Sequence, residues 1–245
     1  MSDIQRHLRA KTGDVAPYVL IPGDPGRAER IAETFVDAQL IARNREYVIY
    51  TGRTQAGAPI SVCSTGIGGP SASIALEELV RIGATHFIRV GSAGGRQPAT
   101  PIGSVVVVTS AFRGDGTSLD YIPLGYPAAA DIDVTLALRH AAADYLGQRA
   151  IEGVVFTRDA FYRRDDGLNA RLTDAGIVAA EQECSTVFVV GALLGVKVGA
   201  VLGTDSNIYL DPQPTREEKE ALYKRVEMDT IRIATAAVDR LHTER

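Results

Sequence analysis

Short apolar runs alternate along the chain with longer amphipathic stretches, the rhythm of an α/β protein. Strands are predicted at Tyr18–Ile21, Tyr47–Gly52, Ile60–Thr65, His86–Val90, Ser104–Thr109, Gly153–Phe156 and Val198–Gly203. They are rich in Val and Ile, and several lack polar alternation, so their sheet is expected to be covered on both faces. Helices are predicted at Gly26–Thr34, Ser71–Ile82, Val134–Tyr145, Ser185–Leu194 and Arg216–Leu241. The last has its own start signal, since Thr215 with Glu218 three residues on fits a capping box directly after Pro214. Within it Ile231, Ala234, Val238 and Leu241 fall on one face, as core packing requires. With no linker, repeat or low-complexity segment, one domain over residues 1–245 is expected. The stretches Gly114–Asp131 and Tyr209–Thr215 are read as loops, the second as a candidate lid over a site.

Composition narrows the partners. The 245 residues are 45% hydrophobic and 23% charged, with a formal net charge of −4, so a broad basic surface for nucleic acid is not expected. Cys63 and Cys184 sit in apolar stretches without metal-ligand spacing and read as buried free thiols. The polar start from Met1 to Asp14 has no apolar core of the kind a secretion signal needs. The longest apolar run, Val187 to Val196, stops at Lys197 and is too short for a bilayer. A cytoplasmic protein without membrane contact is the expectation.

Three glycine-bearing loops follow predicted strands: Ile21–Arg27, Thr65–Ser71 and Arg89–Gly95. Glycine lets the backbone approach a ligand and turn its N–H groups toward an anion. The first two loops lead into helices, whose N-termini favour negative charge. Arg27 and Arg89 add fork-shaped donors suited to phosphate oxygens. No Walker A lysine and no G-x-G-x-x-G is present. Each loop alone reads as an ordinary turn; three together, two with arginine, point to an anion site. Glu181-Gln182-Glu183 puts two carboxylates two apart, which on an extended segment face one way and suit sugar hydroxyls. Acids decorating a helix N-terminus are the equal alternative. The four histidines lack metal spacing, and no G-x-S-x-G elbow appears.

In order and spacing, Ile21–Arg27 (IPGDPGR), Cys63–Leu79, Ile88–Gly94 (IRVGSAG), Asp159–Tyr162 (DAFY) and Glu181–Glu183 (EQE) resemble the nucleoside phosphorylase family, which includes uridine phosphorylase and the hexameric bacterial purine nucleoside phosphorylases. The likeness runs from about His7 to the C-terminal helix and implies a central mixed, partly closed sheet flanked by helices. It implies phosphate binding by Gly23, Arg27, Arg89 and Ser92, with Arg45 reaching in from a neighbouring subunit. His7 likewise crosses to the ribose 5′-hydroxyl, Glu183 binds the ribose hydroxyls with Glu181 and Gln182 beside it, and Phe161 packs on base and sugar. The smallest competent unit is then a dimer, with hexamers common in the family. Inorganic phosphate is the co-substrate, and no organic cofactor is expected. Glu46, Ile67 and Ser71 match a monovalent-cation (K+) site between subunits in uridine phosphorylases.

The base pocket departs from the family pattern. The Gln and Arg that recognise uracil are replaced by Arg163-Arg164-Asp165-Asp166-Gly167, from which Arg164 is the candidate base donor, and Gln182 stands where the family has methionine. Purine-specific members use an aspartate after the late strand as acid; gap-free counting puts Ser206 there and Asn207 at the uridine-type asparagine, while a one-residue shift restores Asp205. Phosphorolysis of uridine, catalysed through Arg89, is the favoured reading. Phosphorolysis of purine nucleosides with Asp205 as acid is second. A hydrolase and a non-catalytic nucleoside-binding module follow.

Overall fold

The protein is described here by a computed structural model covering residues 4–243, so the first three residues of the polar Met1–Asp14 stretch lie outside it. Strands β1 (Tyr18–Leu20), β2 (Val36–Asn44), β3 (Tyr47–Arg53), β4 (Pro59–Cys63) and β5 (His86–Gly95) fill the first part of the chain. β6 (Val105–Gly114), β7 (Ala128–Ala129), β8 (Ile151–Arg158), β9 (Ala179–Glu181) and β10 (Lys197–Asn207) follow. They join in the order β10-β6-β8-β9-β5-β1-β4-β3-β2, with β7 beside β6. β10 also pairs with β5, in parallel from Lys197↔His86 to Asn207↔Gly95. The strands β5, β10, β6, β8 and β9 therefore close on themselves, and the rest run out from that ring. β6 is antiparallel to β10 and parallel to β8, so the sheet is mixed and partly closed.

Side-chain alternation explains the layering. On β1, Tyr18 and Leu20 enter one apolar cluster and Val19 enters the other; on β6, Val105 and Val107 face away from Val106 and Val108. Helices α1 (Pro25–Ala32), α4 (Ile132–Leu146) and α7 (Arg216–Thr243) cover one face, and α2 (Gly69–Arg81) and α6 (Cys184–Leu193) the other. Both faces are dry, as the unalternating Val/Ile strands imply. Cys63 and Cys184 are free and buried within the second of these layers. α7 starts with its capping box made: Thr215 donates its N–H and hydroxyl to Glu218 at 2.8 and 2.9 Å, and Glu218 N–H returns to Thr215 Oγ1 at 3.3 Å. Among the described residues no helix is long and apolar enough to cross a membrane.

Two differences from the sequence reading shape the site. The stretch Arg89–Gly95 is not a loop but the continuation of β5, laddered to β10 throughout. Its glycines serve close packing: a Cβ on Gly95 would stand 2.3 Å from the Thr100 carbonyl oxygen and one on Gly91 2.7 Å from Leu202. The stretch Gly114–Asp131, read as a loop, holds a short helix, α3 (Thr117–Tyr121), and a second unpredicted helix, α5 (Asp166–Asp174), lies between β8 and β9.

Candidate active site

β5 carries Arg89 into the interior, where it is 4% exposed. Its Nε donates to Glu181 Oε2 at 3.0 Å, and its Nη2 pairs with Glu183. Burial opposes the charge on Arg89, but Glu183 and Glu181 outweigh it and hold the guanidinium protonated. Glu181, at the end of β9, also accepts the N–H groups of Glu183 and Cys184 at 2.8 and 2.9 Å and the Thr157 hydroxyl at 2.5 Å. Its oxygens are thus committed to the fold. Glu183 accepts the Gly68 N–H at 2.6 Å, and burial pushes its carboxyl up against the opposing pull of Arg89. Gly68 caps α2 at φ 92°, a left-handed conformation that suits glycine and aims its N–H at Glu183.

Arg27 comes from the first turn of α1. Its Nε donates to Glu227 of α7 at 2.8 Å, Nη1 to the Val90 carbonyl at 3.0 Å and Nη2 to the Tyr223 hydroxyl. Asp24 caps α1 by accepting the N–H groups of Gly26 and Arg27 at 3.0 and 2.8 Å. The helix N-termini expected to hold an anion are therefore engaged internally, α1 by Asp24 and α2 by Glu183. Positive charge facing the cavity comes from guanidinium groups instead.

These groups share one cavity of about 670 Å³, a volume typical of small-molecule sites. Gly23, Arg27, Arg89, Ser92 and Ile67 line it, and so do Phe161, Glu181, Gln182, Glu183 and Asp205. Gln182 is steadied by a 2.9 Å bond from its Nε2 to the Asp159 carbonyl. Asp205 has its carboxyl pushed up by burial, with Ser206 donating to it at 2.8 Å. Ile208 brings the start of the Tyr209–Thr215 segment onto the wall, and the Tyr209 hydroxyl meets that of Thr173 on α5 at 2.6 Å.

Other expected residues stand elsewhere. Arg45 is exposed at φ 55° in the turn between β2 and β3 and does not line its own chain's cavity. His7 is gripped by the buried Glu78, which meets its ring Nδ1 at 2.7 Å and accepts its backbone N–H at 3.0 and 3.1 Å. Glu46 accepts the Ser71 hydroxyl at 2.7 Å, and Ile67 beside them is 77% exposed. Two residues expected at the base do not line this cavity. Arg164 is exposed and off the cavity wall. Asn207 is buried and acts as a strut: its Nδ2 donates to the Gln97 and Thr100 carbonyls, both at 2.8 Å, and its Oδ1 accepts the Tyr209 N–H at 2.8 Å. Both amide hydrogens of Asn207 are thus taken, leaving it no donor for a base, and Asp205 and Ser206 take the wall in its place.

Sequence reasoning missed Arg96, Arg158 and Tyr162, which also line the cavity. Arg158 lies where β8 outruns its predicted end and Arg96 directly follows the extended β5, so longer strand readings were the signal that finds them.

Comparison with known proteins yields a family model described as the phosphorylase superfamily, matched over residues 17–239. A uridine phosphorylase of Treponema pallidum is 44% identical, covering 82% of this chain and 81% of that protein. A guanosine phosphorylase of Halorubrum lacusprofundi is 38% identical over 97% of this chain and 99% of that protein. Among solved structures, a uridine phosphorylase of Vibrio fischeri superposes with a TM-score of 0.86 at 36% identity, covering 96% of this chain and 97% of that one.

Proposed function

The chain belongs to the phosphorylase superfamily, and from that membership we propose that it is a nucleoside phosphorylase acting on uridine. Inorganic phosphate attacks C1′, the glycosidic bond breaks, and free base and ribose 1-phosphate leave. The observation that carries this reading is the single cavity in which Arg27 and Arg89 face the same space as Glu183. Phosphate there lies with Gly23, Arg27, Arg89 and Ser92 around it, held by charge-assisted donors beneath the sugar. Glu183 accepts hydrogen bonds from the ribose hydroxyls and, as a carboxylate, steadies the positive charge that develops on the ring. Glu181 is a positioning residue, since its partners are Arg89 and the backbone around Glu183. Phosphate is itself the nucleophile, so the reaction needs no activated serine or cysteine.

Arg45 and His7 complete the phosphate and 5′-hydroxyl contacts of a partner's cavity, which makes a dimer the minimal active unit of a cytoplasmic hexamer. The Glu46 carboxylate, the Ser71 hydroxyl and the Ile67 carbonyl are oxygen donors that suit a hard monovalent cation such as K+. One chain supplies a single carboxylate to it, so the cation belongs between two subunits.

A second reading, phosphorolysis of a purine nucleoside, is favoured by Asp205. Burial pushes its carboxyl, on the cavity wall, up from its ordinary value, the direction that a proton donor to a purine ring nitrogen requires. The 38% identity to a guanosine phosphorylase agrees with it. Base release from uridine, thymidine, inosine, guanosine, adenosine and methylthioadenosine, followed with and without phosphate, separates these readings. Phosphate-dependent release greatest for uridine is the expected result. A purine optimum selects the second reading, release without phosphate a hydrolase, and no release anywhere a binding module.

A further inference from the structure

Two guanidinium groups on the cavity wall have no part in the phosphate and ribose contacts above. Arg96 follows β5, and Arg158 ends β8. Arg96 is 8% exposed; its backbone N–H is held by the Val178 carbonyl at 2.8 Å and its Nη1 by Asn169 Oδ1 at 3.1 Å. Arg158 donates from Nη1 to the Arg163 carbonyl at 3.1 Å, and its guanidinium carbon stands 5.9 Å from the Phe161 ring centroid. Arg27 and Arg89 each have a glutamate partner. Arg96 and Arg158 form no ion pair with a carboxylate among the described residues. Burial lowers the proton affinity of both, and the nearby charge of Arg158 lowers that of Arg96 further. Arginine nevertheless stays charged in proteins. The fold thus keeps one buried and one half-buried guanidinium on the same cavity without a carboxylate to balance them, an arrangement that a ligand bringing acceptors relieves.

The nucleobase supplies them. A guanidinium offers donors and no acceptor. When the C1′–N bond breaks, its electron pair stays on the base and spreads onto the exocyclic oxygens, while a phosphate oxygen forms the new bond to C1′. The proton carried by the product base comes from the hydrogen phosphate by way of water. Donors aimed at those oxygens bind more strongly as the charge develops, which is the condition for lowering the barrier. An exocyclic amino group in the same place sets donor against donor.

We propose that Arg96 and Arg158, beside the Phe161 ring, form the base subsite, donating to the exocyclic oxygens of an oxo-base and stabilising it as it leaves. Uracil is accepted over cytosine, and a 6-oxopurine over a 6-aminopurine. This rests on the phosphorylase reading. Steady-state kinetics of Arg158→Ala and Arg96→Ala, with uridine and with 5-fluorouridine, whose base is the better leaving group, test it. Loss of one such donor is expected to lower kcat/KM for uridine by about 10²-fold, and that for 5-fluorouridine several-fold less, with KM for phosphate unchanged. Arg158→Lys recovers part of the loss, and the parent enzyme turns over cytidine at least about a hundredfold less well than uridine. Equal losses with both leaving groups, a raised phosphate KM, or cytidine turned over like uridine overturns the assignment. If the parent enzyme cleaves no nucleoside, the phosphorylase reading fails on its own. Calorimetric titration with uracil and cytosine then decides the subsite, which stands if uracil binds more tightly and Arg158→Ala removes the difference, and falls if the two bind alike.

Discussion

Arg89 is the residue on which the proposed anion and sugar contacts meet the fold. Two glutamates hold its fork, and one of them, Glu181, has its remaining contacts taken by Thr157 and by the start of α6. In the proposed reaction the guanidinium therefore meets phosphate already oriented, and little reorganisation is left for the moment of bond breaking. Truncation removes one member of a desolvated charge cluster and leaves Glu183 and Glu181 buried without their cation. Arg89→Ala is expected to cost about 2–5 kcal/mol in transition-state binding, read as a fall in kcat/KM. Arg89→Lys keeps a charge but cannot reach both carboxylates with one planar fork, so it should recover little of that loss. A fall of less than about tenfold for the alanine variant, or ~1.4 kcal/mol, counts against the role.

At the scale of elements, the site hangs on contacts between secondary structures rather than on loops. Asp115, just after β6, accepts the Ser118 N–H at 2.7 Å and hydroxyl at 2.9 Å from α3, and the Thr186 hydroxyl at 2.8 Å and that of Ser185 from α6. Burial pushes this carboxyl up, but the bonds from Ser185, the Ser118 N–H and Thr186 outweigh it and leave it below its ordinary 3.8. A lowered folded-state value stabilises the protein above the unfolded pKa and loses that effect as pH falls through the folded one. Asp115→Ala is expected to cost at least about 2 kcal/mol near neutrality, since buried donors lose their acceptor. Denaturant melts of parent and variant should differ by a constant amount above pH about 4, with the gap closing below it; a gap that widens in acid rejects the account.

What the sequence disclosed of these elements follows the strength of each physical signal. The long apolar strands and α7, with its capping box, were legible because burial on both faces and a reciprocal cap leave plain patterns. β2 was not, for it is an edge strand whose Val36–Asn44 run is largely exposed, and α5 was not, since it buries only Leu172. The end of β5 read as a loop because its glycines answer to Thr100 and Leu202, neighbours distant in sequence. The family resemblance picked out Gly23, Arg27, Arg89, Ser92, Glu181, Gln182 and Glu183, and all of them line one cavity. The proposed base side was not: Arg158 reaches the cavity at the end of an extended β8 and Arg96 just past an extended β5, and Asn207 is drawn away by backbone carbonyls of residues 97 and 100.

At the scale of the whole molecule, one chain presents a cavity wall with no Arg45 and no His7, while both residues are held on the outside of the fold. Arg45 is exposed on the β2–β3 turn, and His7 is fixed by a buried glutamate on α2 rather than left on a loose tail. A side chain held that firmly outside its own site suits service to another copy. In a two-fold interface each subunit then lends the same residues to its partner. Two inactive variants should therefore repair one another. Arg45→Ala spoils the neighbour's site, and Arg89→Ala spoils its own, so a mixed dimer contains one site in which both arginines survive. Equal mixing with free subunit exchange is expected to return about a quarter of the parent activity, since half the pairs are mixed and each restores one of two sites. Recovery must follow exchange, appearing after mild denaturation and refolding together and not on simple mixing of stable oligomers. If co-refolded Arg45→Ala and Arg89→Ala chains exchange subunits, seen by mass spectrometry of a mass-labelled pair, yet stay as inactive as either alone, the shared site is rejected.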